Sequence, residues 1–560
     1  SPVYRSPQDD NGYDISDYQD IDPLFGSLED LDALIEGLHA RGMRLVMDLV
    51  VNHTSDEHPW FTASRSSTQD PKRDWYIWRP ARQVDGLAPG QPGTEPTNWG
   101  SAFSGSAWAW DEDTQEFYLH LFSPKQPDLN WENPEMRRAV YEMMTWWLER
   151  GVDGFRMDVI NFISKTYPLT DAPQGEGDLY GNAFAAVANG PRIHEFLHEM
   201  NQKVLAPRPG HVITVGEMPG ATRSEAALYT DPARAELDMV FQFEHVSLTD
   251  GPGGKFDPQP LNLVVLKKNL ADWQAALAPV TDSSGVVTAE KGWNSAYWDN
   301  HDQPRAVSRF GDDDPAWRVR SAKTLATILH THRGTPYVYQ GEELGMANTV
   351  FRSIEDYRDL ESINHFHERV RAGDDPAAVL TGLAPISRDN ARTPVHWDGS
   401  EKAGFTTGES WIALAPDHGT VHAAAQAGVP GSVFEHYRSL ITLRHDDDAL
   451  ALGTFRLLAA DHPTAWVILR QWRSPEPDET GENRVEQLLL IAQCAREDLP
   501  LTGEGGLLAA LAAEGLQAGQ WTEAEQVLRA GDPDVQPGSG HAGLPAVLAG
   551  WDSVLLRRRA

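Results

Sequence analysis

Three carboxylates each end a short apolar run: Asp158 in GFRMDV (154–159), Glu217 in HVITVGE (211–217) and Asp302 in SAYWDNHD (295–302). Arg156 stands two residues before Asp158. In a strand, residues two apart point to the same face, so the guanidinium and the carboxylate would lie side by side. His53 and His301 sit at similar run ends. One strand-end Asp alone reads as a helix cap or an ion-pair partner. Three acids with two histidines and an arginine are harder to explain that way. Such an array suits glycoside hydrolysis, in which one carboxylate attacks the anomeric carbon and a protonated one gives its proton to the leaving oxygen. The acid needs a raised pKa and the nucleophile must stay ionised. Arg156 is expected to hold Asp158 charged and oriented.

Aromatic residues point the same way. Trp99, Phe103, Trp108, Trp110, Phe122 and Trp131 gather in and after a stretch rich in Gly, Pro, Ser and Trp (54–119). Sugar rings stack on aromatic faces; a small aromatic core is the competing reading.

The elements that must position these residues are short strands alternating with helices. RLVMDLVVNH (44–53), VDGFRMDVI, HVITVGE, MVFQFEH (239–245), SAYWDNHD and TPYVYQGEELGM read as strands or strand ends. NPEMRRAVYEMMTWWLERG reads as a helix with Asn133 as cap, Pro134 at its first position and Gly151 as its stop. Further helices are predicted near 186–203 and over LNLVVLKKNLADWQAAL and AWRVRSAKTLATILHTHRG. This alternation is that of a parallel sheet with helical crossovers. Polar clusters at the strand ends favour a (β/α)8 barrel, a TIM barrel, whose active sites lie at the C-terminal strand ends. The rival open sheet wants a Gly-rich phosphate loop after its first strand, and none is present. The expected domains are the barrel over 1–53 and 120–450, an inserted subdomain over 54–119, and an antiparallel β-domain over 451–560. Within the last, 503–530 is partly helical in pattern and is not placed.

The formal net charge of −35 argues against a nucleic-acid partner. No run of eighteen apolar residues appears, so no membrane span is predicted. Cys494 is the only cysteine, which excludes an internal disulfide and fits a reducing, cytoplasmic setting. The expected partner is a small oligosaccharide, and the expected state a monomer or weak homodimer.

DLVVNHTSDEH, GFRMDVINFISK, VGEMPG and NHDQPR resemble the four conserved regions of the α-amylase superfamily of glycoside hydrolases (family 13). QPDLN (126–130) resembles a fifth region of the oligo-1,6-glucosidase type. SPVYRSPQDDNGYDISDY, FSGSAW, FEHVSLTDGPGGKFD, YQGEELGM and DNARTPVHWD extend the likeness over residues 1 to about 450. The resemblance implies retaining hydrolysis of terminal α-glucose from short oligosaccharides, with transfer to other acceptors as a side activity. It makes Asp158 the nucleophile, Glu217 the acid/base and Asp302 the third carboxylate. It implies that His53 and His301 bond the glucose, that Asp10 grips its non-reducing end, and that Tyr13 forms a wall. It implies further that Arg156 orients Asp158, that Arg392 pairs with Asp10 to close the pocket, and that Phe103 and Gln126 belong to the substrate site. Val159, directly after the nucleophile, goes with α-1,6 preference in this family, where Thr goes with α-1,4.

Family members also carry, ahead of the stretch resembling SPVY, a first strand, a first helix, most of a second strand and a DxNxDGxGD-type loop for Ca²⁺ or Mg²⁺. None of these is in this sequence. The barrel is therefore expected to lack N-terminal strands, no cofactor is expected to be required, and no metal ligand is assigned. The same chemistry also admits a maltase, a trehalose-6-phosphate hydrolase or a sucrose isomerase. From other classes, an inactive fragment and a non-catalytic transporter subunit are the alternatives. The transporter subunits lose the catalytic carboxylates and carry a membrane anchor, whereas all three carboxylates stand here.

Overall fold

The computed structural model describes residues 1–175, 178–477, 483–503, 505–535 and 538–559. The chain divides into two compact units, Ser1–Phe243 with Asp359–Asp374, and Glu244–Arg358 with Asp375–Ala560.

The first unit is built on a parallel sheet of four strands in the order Val46–Val50, Gly154–Asp158, Ile213–Glu217 and Met239–Phe241. Leu49, Val50, Phe155, Met157, Val215 and Val240 are buried, as a parallel sheet covered on both faces requires, while Val46 at the sheet's start is exposed. The register pairs Asp48 with Arg156 and Val50 with Asp158, and on the next strand Arg156 with Val215. The charged residues of neighbouring strands are thereby brought level. Gly154 makes this approach possible, because a Cβ there would meet the carbonyl oxygen of Ile213 at 2.2 Å.

The helix Pro134–Arg150 forms as its sequence predicts. The Asn133 side chain accepts from the amides of Glu135 and Met136, and Gly151 closes the helix at φ 111°. Met136, Val140, Met144 and Trp147 face the core. The stretch after the first strand folds as the helix Pro59–Ser66 and a three-stranded antiparallel sheet, Trp78–Arg79, Glu116–Leu119 and Trp108–Asp111. Helix Leu360–Ala372 also belongs to this unit: Asn364 donates to the Phe103 carbonyl at 3.0 Å, and Glu368 accepts from the Gly105 amide at 3.0 Å.

The second unit contains the helices Leu263–Ala276, Arg318–Thr331 and Val433–Asp446, and a parallel pair Ser295–Ala296 and Thr335–Pro336. Its five-stranded sheet runs Thr454–Leu458, Ala465–Pro477, Asn483–Gln493, Ser553–Arg559 and Glu525–Arg529, all antiparallel. Leu458, Val467, Leu489, Ile491, Leu556 and Trp521 fill one core beside it.

Some elements differ from their sequence patterns. The helix expected near 186–203 is two pieces, Phe184–Val187 and Ile193–Met200, the second continuing as a π-helical turn over Asn201–Leu205. Gly190 and Pro191 interrupt it; a residue before proline disfavours helix, and Gly190 packs where a Cβ would strike the Ser164 carbonyl. Met239–Phe241 is shorter than MVFQFEH, and the chain turns into a 3₁₀ segment at His245–Ser247. The unplaced stretch 503–530 holds the helix Leu507–Ala513 and the edge strand Glu525–Arg529, while Glu504 lies outside the described residues. Among the described residues, no helix is long and apolar enough to cross a membrane.

Candidate active site

Arg156 is the hub of the first unit's polar cluster. Its Nη1 donates to Asp158 Oδ1 at 2.6 Å and to Asp48 Oδ1 at 2.9 Å, and its Nη2 lies 2.7 Å from Glu217 Oε2. One guanidinium thus serves three buried carboxylates, a use suited to its planar fork of donors. Tyr13 donates its hydroxyl to Asp48 Oδ2 at 2.8 Å, and its ring lies 5.6 Å from the Arg156 guanidinium carbon. Asp158 and Glu217 also hydrogen-bond to each other.

Burial pushes the Asp158 carboxyl up to about 6; Arg156 opposes that and Asp48 adds to it. The guanidinium hydrogen-bonds the carboxylate, but desolvation outweighs it on the pKa, so the carboxyl is not held down, against the expectation from the sequence. Because Asp158 and Glu217 share a hydrogen bond, their titration belongs to the pair.

Val159 follows with φ 33° and ψ 43°, a left-handed conformation rare for a β-branched residue. In that conformation its amide donates to Glu217 Oε2 at 3.2 Å. Its side chain enters the core formed by Ile77, Trp99, Trp108 and Phe162.

A second layer holds Asp10, His53 and Gln126. Gln126 Nε2 donates to Asp10 Oδ2 at 3.2 Å and lies 3.2 Å from His53 Nε2, which is 3.1 Å from the Tyr13 carbonyl. Burial lowers the His53 pKa, with Asp128 and Asp10 pulling the other way. The loop carrying Asp10 is shaped by Asp14, which accepts from Ser6 Oγ and from the amides of Asp9 and Asp10. Beneath lies a fully buried ion pair, Lys165 Nζ to Asp128 Oδ2 at 2.7 Å. Lys165 also donates to Asn52 Oδ1 at 2.9 Å, and Asn52 Nδ2 to Asp128 Oδ2 at 3.2 Å.

The aromatic residues divide. Trp99, Trp108 and Trp131 are buried and spend their indole N–H groups on Thr170, Thr97 and Val51. They are core, not sugar platforms. Phe122 packs on His53 at 5.2 Å, on Phe103 at 5.5 Å and on Phe162 at 6.3 Å. A cavity of about 410 Å³ opens in the same unit, with Leu121, Phe162, Tyr180, Phe184, His365 and Glu368 among its walls. That mixture of aromatic and polar groups is common in small-ligand sites.

The second unit holds its own cluster. Asp302 Oδ1 accepts from Arg392 Nη2 at 2.8 Å and Arg388 Nη1 at 3.2 Å, and Oδ2 lies 3.3 Å from His301 Nε2. Burial pushes Asp302 up, but His301, Arg388, Arg392 and Lys255 outweigh it and hold the carboxyl well below the usual range. Arg392 Nε donates to the His301 carbonyl at 3.1 Å. The fold therefore gathers Asp10, Tyr13, His53, Gln126, Arg156, Asp158, Val159 and Glu217 in one unit, and His301, Asp302 and Arg392 in the other. Asp48, Lys165, Asp128 and Arg388 were not singled out by sequence. Asp48 carried a signal, since it is a charge inside an apolar strand like Arg156. Among the described residues, no group of three or more His, Cys, Asp or Glu is placed to hold a metal ion.

The family model for the catalytic domain of alpha-amylase matches residues 1–453. The chain is 56% identical over 464 residues to the oligo-1,6-glucosidase of Parageobacillus thermoglucosidasius, covering 83% of this chain and 78% of that one. It is 47% identical over 473 residues to the trehalose-6-phosphate hydrolase of Bacillus subtilis (strain 168), covering 84% and 79%. Among solved structures it is similar to the trehalulose synthase MutB, with TM-score 0.85 and 37% identity over 100% of this chain and 91% of that one. With these neighbours the fold class is the α/β barrel type with a C-terminal antiparallel β-domain.

The buried Lys165–Asp128 pair yields a stability prediction. Lys165→Met leaves Asp128 buried without its cation and is expected to cost about 3–5 kcal/mol. Urea unfolding followed by tryptophan fluorescence measures this, and a change under about 1 kcal/mol would mean that the pair bears no structural weight.

Proposed function

This chain belongs to the alpha-amylase family, and from that premise we propose that it is a retaining, exo-acting α-glucosidase that releases terminal glucose from short, α-1,6-linked oligosaccharides. The observation that carries the reading is the direct hydrogen bond between Asp158 and Glu217 over a shared Arg156. Inverting glycosidases keep their carboxyl groups about 6.5–9.5 Å apart to admit a water, and retaining ones hold them closer. Two carboxyls in hydrogen-bond contact fit the second arrangement.

In this reading Asp158 attacks the anomeric carbon while Glu217 protonates the departing oxygen. The C–O bond to the leaving sugar breaks and a glucosyl ester on Asp158 forms. Glu217, now a carboxylate, takes a proton from water, which attacks the same carbon and frees glucose and Asp158. A sugar hydroxyl in place of that water gives transfer. Arg156 keeps the attacking oxygen directed, and the Val159 amide holds the oxygen of Glu217 in place. Asp10, with Gln126 and His53 around it, supplies acceptors and donors for a terminal glucose. Asp302, His301 and Arg392 are assigned by their NHDQ and DNARTP motifs as a third carboxylate with its supporting groups. The single, half-buried Cys494 suits a reducing compartment, and we place the protein in the cytoplasm.

The α-1,6 preference rests on Val159 and on the oligo-1,6-glucosidase relatives. Glucose release is expected to be faster from isomaltose than from maltose, trehalose 6-phosphate or sucrose, and to vanish in Asp158→Asn. Equal or greater release from another of these sugars overturns the linkage assignment, and release undiminished in Asp158→Asn overturns the nucleophile. The folded pKa of Asp158 lies above its ordinary value, so the ionised nucleophile is lost as pH falls through about 6. The kcat/KM profile is expected to drop on its acid side near that pH, and a limb near 4 would contradict the buried geometry. Val159→Thr should lower the isomaltose-to-maltose ratio of kcat/KM by about tenfold, the scale of one pocket contact; an unchanged ratio removes Val159 as the determinant.

A further inference from the structure

A buried acid pair in the second unit takes no part in the chemistry above. Asp299 stands three residues before Asp302, on the loop that follows the strand Ser295–Ala296. Its Oδ2 accepts from the Ala306 amide at 2.8 Å, which ties the start of the loop 299–306 to its end. Glu342 begins the 3₁₀ turn Glu342–Leu344, and its Oε1 accepts from the hydroxyl of Tyr437 on the helix Val433–Asp446. Asp299 is 2% exposed and Glu342 6%. The other two oxygens, Asp299 Oδ1 and Glu342 Oε2, are buried and receive no N–H or hydroxyl donor. The two side chains instead hydrogen-bond to each other. Two carboxyl groups cannot do so without a proton between them. Ala306, Val307, Ala322, Leu325 and Met346 lie around the small void beside Glu342 and Tyr437, an apolar setting that disfavours a second charge.

We propose that Asp299 and Glu342 hold one shared proton at neutral pH, and that this proton fixes the loop that presents His301 and Asp302, making both acids positioning residues. The consequence for catalysis rests on the glycosidase reading; the proton does not. The charged and titratable groups facing the pair are Arg305, which favours the ionised Asp299, Glu343, which opposes it, Tyr437 and Tyr339. Burial pushes Asp299 up to about 6 and Glu342 well above the ordinary range. In the unfolded chain both ionise near 4. Over the neutral range the folded chain therefore holds more protons than the unfolded one, and stability falls as pH rises.

An amide can take the place of the proton. Asp299→Asn puts an N–H donor where the proton lies, and Glu342→Gln does the same from the other side, so either variant serves if one folds poorly. Melting temperatures of the full chain are measured at pH 6 and pH 9. The wild type is expected to lose about 4 °C more than an amide variant over that interval. Hydrogen-exchange protection factors of the amides in 299–306 should drop at pH 9 in the wild type and hold in the variant. Parallel melting curves with equal protection overturn the proposal. Neither readout uses a substrate, so failure to release glucose from isomaltose would count against the functional reading alone. If the wild type is active, the alkaline fall of kcat is expected at higher pH in the amide variant; coincident alkaline limbs overturn the positioning role.

Discussion

One partly buried guanidinium serves three buried carboxyl groups. Asp48, Asp158 and Glu217 come from three adjacent parallel strands, and the register sets Asp48 level with Arg156 and Asp158 level with Val50. Burying one such charge unpaired costs several kcal/mol. Arg156 offsets that cost for the carboxyl groups it touches. The cluster's geometry follows from the sheet: Arg156 and Asp158 share a face because they are two residues apart, and Asp48 lies level with Arg156 because the strands pair in parallel. What looks like a set of reactive groups is first a solution to a burial problem.

The next layer repeats the logic with different parts. Lys165 and Asp128 neutralise each other with almost no exposure, and Asn52 bridges them. The loop of Asp128 also presents Gln126, and the strand end with Asn52 also presents His53. Fixing the buried pair thus fixes two polar side chains that the site needs. In the second unit two arginines, Arg388 and Arg392, and the His301 ring converge on one carboxylate, the reverse ratio to Arg156. Asp302 is accordingly held ionised, whereas burial leaves Asp158 near neutrality's edge.

Much of this was legible in the sequence because it depends on local rules. The helix Pro134–Arg150 was marked at both ends by Asn133, Pro134 and Gly151, and the strands up to Ile213–Glu217 by apolar runs. The face shared by Arg156 and Asp158 followed from period two. Elements that depend on distant packing were less visible. Nothing in QPDLN and INFISK says that their Asp and Lys will meet, and nothing in YWDNHD and QGEELG says that Asp299 and Glu342 will share a hydrogen bond. Trp99, Trp108 and Trp131 showed the limit of composition: the same residue types serve as sugar platforms or as core, and only burial distinguishes them.

Val159 is where the two kinds of information part. By sequence it is a conservative apolar residue after a carboxylate, and its identity goes with a linkage preference. By structure it is a β-branched residue in a left-handed conformation, a strain of about 1–3 kcal/mol that its surroundings must impose. Two features impose it. The side chain is locked in the aromatic core with Trp99, Trp108 and Phe162, and the amide is held by Glu217. The strain and the amide contact are linked, since relaxing φ to an ordinary negative value would rotate the N–H away from the carboxylate. A substitution at 159 therefore acts on two things at once: the side chain seated in the aromatic core, and the orientation of the Glu217 carboxyl. A glycine would relieve the strain and lose the core anchor, leaving the amide free to turn. Threonine keeps the branched shape and so tests the first effect with little change in the second, which makes it the informative replacement at this position.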